Sequence, residues 1–301
     1  MAFNWKTFRT RTLTALIFAA VMLTGLLWNQ WSFLILFSII HFGCWWEYFN
    51  LLEKIHKNIY HRYTRVGFML LGYAIMLWFC GHEFRINNYH LKEDLSFPVS
   101  IAGMVMLVMG IFQTKQIKLK AFGIAALGLL YISLSWGLMV DLNNHSIKIL
   151  YANHLPPFPY GGFNPTGIEY KWHLSLLIIA AIWINDTMAY IIGSLIGKTP
   201  LSKVSPKKTW EGTIGGIILA VGISILIAVA SDFSIFLFAA TTLICVVAGT
   251  FGDLLESKLK RMAGVKDSGT FMPGHGGFLD RFDSLLLAIP AVWLYVFLFM
   301  K

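Results

Sequence analysis

The chain has 301 residues, of which 57% are hydrophobic and only 13% charged, and its formal net charge is +9. Soluble domains carry roughly 25% charged residues, so a water-soluble globular protein is excluded. Several apolar runs reach or approach the ~18 residues that mark a membrane-crossing helix. In lipid each segment must satisfy its own backbone groups, and no alternating barrel pattern is present. The sequence therefore predicts an all-α polytopic integral membrane protein.

In chain order the apolar runs fall near 12–28, 31–52, 66–81, 97–112, 121–140, 173–194, 213–230, 234–255 and 284–300, or about nine transmembrane helices. The first run follows a basic lead and has no clear small-residue cleavage site, so it reads as a retained span. No internal repeat or long polar linker divides the chain. One membrane domain, 1–301, is expected, with N-terminal spans over 1–140, a far-side loop over 141–172 and a polar-rich half over 173–301. Cys44, Cys80 and Cys245 sit in or beside apolar runs and read as small core residues.

Lysine and arginine set the orientation. Nineteen of the 24 fall in alternate connections that begin with the N-terminus, leaving five for the opposite side. The N-terminus is therefore expected in the cytoplasm, together with the loops 195–211 and 256–283. The positive charge follows this sidedness, and no nucleic-acid partner is expected. Trp28 and Trp31 flank the first far-side turn, where amphipathic rings favour the interface. The stretch from Asn143 to Trp172 reads as an irregular far-side loop resting on the bilayer.

Three polar clusters stand out. In "WINDTMAYIIGSLIGK" (183–198), Asp186 lies inside a span, where a carboxylate is costly and normally faces a cavity or partner. A structural helix contact through Asn185 and Asp186 is the plainer alternative. Gly193 and Gly197 suit close helix packing. In "GKTPLSKVSPKKTWEGTIGG" (197–216), ordinary positive-inside charge explains lysines in general but not this order. Ser205 and Thr209 suit backbone capping, and Lys207 and Lys208 suit phosphate.

The third cluster is "GDLLESKLKR" with "SKLKRMAGVKDSGTFMPGHGGFLDRFDS", which ends at 284. Helical spacing puts Asp253, Glu256 and Lys260 on one face. Lys258, Arg261, Lys266 and Asp267 follow, and Asp280, Arg281 and Asp283 open the last helix. Asp253 and Asp280 could face one another across the loop, with Glu256 as a third carboxylate. Mg²⁺ takes a few such oxygens together with substrate phosphates. The glycines 274, 276 and 277 would let backbone N–H groups converge on an anion. His275 has no second His or Cys at ligand spacing, so it reads as a loop or phosphate contact and not a zinc ligand.

The long 257–284 block resembles the signature of the phosphatidate cytidylyltransferases, or CDP-diacylglycerol synthases; "SPKKTWEG" (205–212) and "NDTMAY" (185–190) resemble other blocks of that family. The resemblance covers about 183–290. It implies that CTP and phosphatidic acid give CDP-diacylglycerol and pyrophosphate, in a bacterial-type inner membrane with the site facing the cytoplasm. It also implies Mg²⁺ held by Asp253 and Asp280, with K⁺ as a second cation. Lys207, Lys208, Asp267 and Asp283 join these two as expected catalytic groups. Ser205, Lys258, Lys260, Arg261, Lys266, His275, Arg281 and Asp186 are the expected substrate contacts. The sequence leaves the oligomeric state open, a homodimer included. Two rival readings remain: a CTP-dependent lipid-alcohol kinase with similar parts, and a transporter using Asp186 and a lysine-lined anion path. The absence of a repeat and the gathering of charge at one surface argue against the transporter.

Overall fold

The computed structural model describes residues 5–113, 119–151, 173–231, 233–271 and 276–299. Among these, α1 (Trp5–Leu27), α2 (Gln30–His56) and α3 (Arg62–Trp78) come first. A hairpin of β1 (Arg85–Ile86) and β2 (Tyr89–His90) then turns through Asn87 at φ 55°. A π-helical turn over Leu91–Leu95 leads into α4 (Ser96–Gln113). The helices α5 (Leu119–Gly128) and α6 (Ser135–Tyr151) are joined by a π-helical stretch, Leu129–Leu134. Then come α7 (His173–Ile196), α8 (Trp210–Ala230), α9 (Ile235–Met262) and α10 (Leu279–Phe299).

This is the expected all-α membrane architecture. Seven helical stretches among the described residues are long and apolar enough to cross a bilayer. Each falls on one of the expected runs. α1 and α3 cover the other two and are shorter, with an apolar part of Thr12–Leu27 in α1 and 17 residues in α3. One expectation is corrected: residues 143–151 continue α6 as helix and do not begin an irregular loop. The remainder of that loop, 152–172, lies outside the described residues.

Local chemistry fixes the helix ends. Asn29 and Ser32 form a reciprocal capping box at α2, with Ser32 N donating to Asn29 Oδ1 at 2.8 Å. Thr209 caps α8 and Ser234 caps α9 through their hydroxyls. Pro290 stands inside α10, where it cannot bond the carbonyl of Leu286. Ser135 Oγ from α6 donates to that carbonyl at 2.7 Å. A bond lost within one span is replaced from another, as a membrane interior requires.

The core lies where α2, α6 and α10 meet, around the fully buried Phe37, Trp45 and Trp136. Trp136 also meets Phe282 of α10 edge-on at 5.6 Å. The three cysteines are free and buried, as expected. The glycine expectation for α7 also holds. A Cβ on Gly212 would come within 2.6 Å of the Ala189 carbonyl and 2.9 Å of Gly193 Cα, so α7 and α8 touch backbone to backbone.

Candidate active site

The α7–α8 contact holds the first side of the site. The connection 197–209 is folded back on itself, with Leu201 N donating to Lys208 O at 2.7 Å and Trp210 N to Thr199 O at 2.9 Å. Glu211, in the first turn of α8, accepts from the N–H groups of Lys198 and Thr199 at 3.2 Å each. The lysine loop is thus an ordered element, and Lys208 comes out of it half-buried beside Asp253 of α9, with which it pairs.

A cavity of about 510 Å³ opens at this end of the bundle. Its lining includes Asp186 of α7, Ser205, Lys207 and Lys208 of the loop, and Asp253 of α9. Asp280 and Asp283, from the first turns of α10, complete it. Residues from four separate parts of the sequence therefore share one space. Asp186, ten residues before the end of α7, sits roughly 15 Å from that end by helical rise. It faces cavity space, which answers the cost of a charge in a span. It also borders a second cavity, of about 380 Å³, against Phe18 of α1 and Arg281 of α10.

Other expected residues fall elsewhere. Glu256 is fully buried and pairs with Lys260 one turn on, and neither lines the main cavity. Lys260 Nζ reaches Asp280 Oδ1 at 2.6 Å and so acts from behind. Lys258, Arg261, Lys266 and Asp267 are exposed and do not line the cavity; Arg261 Nη1 instead donates to the Val265 carbonyl at 3.4 Å. Their side chains leave the α9 end and its loop on faces turned from the cavity. His275 lies outside the described residues.

The two central aspartates differ. The Asp280 oxygens are divided: Oδ1 meets Lys260, while Oδ2 accepts from Ser268 N and Gly277 N, both at 2.8 Å. Asp253 Oδ2 and both Glu256 oxygens are buried without a well-formed hydrogen bond, and Asp253 Oδ2 and Glu256 Oε2 face lysine ammonium groups. Among the described residues no set of three or more His, Cys, Asp or Glu could hold a metal unaided. One carboxylate open to a cavity, with a second beside it, fits a cation that takes its remaining ligands from substrate and water.

The model of the cytidylyltransferase family matches residues 9–299. The chain belongs to that family. It is 46% identical over 239 residues to a phosphatidate cytidylyltransferase of Staphylococcus saprophyticus, covering 74% of this chain and 88% of the relative. A phosphatidate cytidylyltransferase of Synechocystis is 34% identical over 216 residues, or 68% and 71% of the two chains. The chloroplastic phosphatidate cytidylyltransferase 4 of Arabidopsis thaliana is 35% identical over 205 residues, or 65% of this chain and 49% of the relative.

One residue of this cytidylyltransferase escaped sequence reasoning. Glu47, in the middle of an apolar stretch of α2, is 5% exposed and reaches into the signature loop. Its carboxylate accepts from Ser268 Oγ at 2.6 Å and from the N–H groups of Phe278 and Leu279 at 2.9 Å each. A single acidic residue inside an apolar run was the available signal.

Proposed function

We propose that the chain transfers the CMP moiety of CTP to phosphatidic acid, giving CDP-diacylglycerol and pyrophosphate for phospholipid synthesis. The observation that carries this reading is the cavity itself. In a cytidylyltransferase, Lys207, Lys208, Asp253 and Asp280 meet at one end of a membrane bundle, where a lipid head group and a nucleotide can both arrive.

The chemistry follows from charge. Phosphatidic acid ends in a phosphate monoester, whose second pKa lies near 6. It is therefore already an anionic nucleophile and needs no strong base. A lipid phosphate oxygen bonds to the α-phosphorus of CTP as the bond from that phosphorus to the bridging oxygen of the β-phosphate breaks. The obstacle is repulsion between two anions. Lys207 and Lys208 offset it by holding the phosphates. Asp253 and Asp280 would hold Mg²⁺, with K⁺ as a second cation. A divalent ion bound there supplies further charge neutralisation. Asp186 and Asp283 line the same space, and Ser205 borders it on the loop side. The uneven lysine and arginine distribution supports a cytoplasmic site and N-terminus, and the bacterial relatives support a bacterial-type cell membrane.

Labelled CTP tests the reaction. Purified protein is given phosphatidic acid, Mg²⁺ and CTP labelled at either the α- or the γ-phosphate. Label from α is expected in the lipid, and label from γ in aqueous pyrophosphate. Label from γ in the lipid would assign a kinase instead, and label in neither product would overturn the transfer.

A further inference from the structure

The signature loop is fastened to the N-terminal half at one point. Glu47 of α2 lies next to three donors, Ser268 Oγ, Phe278 N and Leu279 N. The last two N–H groups open α10, and such groups have no partner within their own helix. The carboxylate thus caps α10 from another span and places negative charge at the positive end of that helix. Gly269 and Gly277 are pressed against it, since a Cβ on either would overlap the Glu47 carboxylate. The loop is shaped around this side chain on two sides.

Ser268 connects Glu47 to the site. Its hydroxyl lies 2.6 Å from Glu47 Oε2 and 2.9 Å from Asp280 Oδ2. One hydroxyl has one proton, so it serves one carboxylate at a time. Given to Glu47, that proton leaves Asp280 Oδ2 with its two backbone N–H donors and keeps the carboxylate's negative charge available. Asp280 Oδ2 is then a fixed hinge, and Oδ1 is the edge turned to Lys260.

We infer that Glu47 is a positioning residue: acting through Ser268 and the first N–H groups of α10, it sets Asp280 in the orientation that a divalent cation and the CTP phosphates require. The inference rests on the reading of Asp280 as a residue of the active site. Glu47 touches neither the cavity nor a reacting atom, so its effect is indirect. The side chain must be a carboxylate. Glutamine has one acceptor oxygen and an amide that would point N–H groups at N–H groups or at Ser268.

The test uses four purified full-length proteins: the parent, Glu47→Gln, Ser268→Ala and Asp280→Asn. Ser268→Ala removes the link but leaves the buried carboxylate its two backbone donors, Phe278 N and Leu279 N, and it carries the test alone if Glu47→Gln does not fold. Mn²⁺ binding without nucleotide is read by electron paramagnetic resonance, and velocity is then titrated with Mg²⁺ at saturating CTP and phosphatidic acid. Glu47→Gln and Ser268→Ala are expected to weaken Mn²⁺ binding by about 10- to 100-fold, the usual effect of losing a group that orients a metal ligand. Their velocity should recover at high Mg²⁺, while that of Asp280→Asn should not. Parental Mn²⁺ affinity in folded Glu47→Gln or Ser268→Ala, with Asp280→Asn inactive, would overturn the positioning role and leave the site intact. Parental binding and turnover in Asp280→Asn would remove both the site reading and this inference.

Discussion

Lys208 closes on Asp253 across the gap between the α7–α8 loop and α9. The pair unites two of the three polar clusters and sits on the cavity wall. A carboxylate already matched to a lysine can exchange that partner for a cation when phosphates arrive to engage the ammonium.

This pairing separates two adjacent lysines. Lys207 is exposed, whereas Lys208 is half-buried and held by Asp253. Lys208→Ala should lower kcat/KM for CTP by about 10- to 100-fold, the scale of one charge-assisted bond. Lys207→Ala should mainly raise the KM. Initial rates over a CTP series check both, and equal effects in the two variants would remove the distinction.

The two aspartates should part company on stability. Asp253→Asn and Asp280→Asn are each expected to lower turnover by at least about 10²-fold, as charge stabilisation is lost at the reacting phosphates. Asp280 also binds Ser268 N and Gly277 N, while Asp253 Oδ2 has no well-formed hydrogen bond. Asp280→Asn should therefore lose more stability than Asp253→Asn, by about 1–3 kcal/mol. Thermal melting in detergent reads this directly, and equal melting losses would contradict it.

Two glycines near the loop should fail in different ways. Gly264 follows α9 at φ 68° with open space around it, and its N–H reaches Arg261 O at 3.1 Å. Gly264→Ala should cost about 1–2 kcal/mol of left-handed strain and leave activity nearly unchanged. Gly277→Ala drives a methyl group into Glu47 and should abolish turnover. Melting and activity measured together on both variants distinguish the two causes.

Sidedness can be mapped with cysteine. The native thiols are buried, so background labelling is low. Lys203→Cys, on the exposed part of the α7–α8 loop, should react with an impermeant maleimide only after cells are opened. Labelling in intact cells would invert the proposed orientation.

Much of this was legible in the sequence because hydropathy is local. The apolar runs gave the helices, and helical spacing put Glu256 and Lys260 on one face, where the two pair. The site was legible where charge accumulates against an apolar background, as at Lys207, Lys208, Asp253 and Asp280. The rest depends on distance in the chain. Spacing placed Glu256 beside Asp253, but could not show that Lys260 covers it and turns it from the cavity. Glu47 was hidden because its partners lie 221 to 232 residues away. The hairpin at 85–90 and the two π-helical stretches carry no periodic signal strong enough to read.

The fastening at Glu47 also gives assembly a direction in time. A ribosome makes α2 long before α10, so Glu47 enters the membrane as a carboxylate whose donors at the signature loop do not yet exist. Such a group is costly in lipid while it waits. Arrival of the last helix relieves that cost and seats the loop in the same event. Until then the nascent chain lacks Asp280 and Asp283, and the cavity they complete is unfinished.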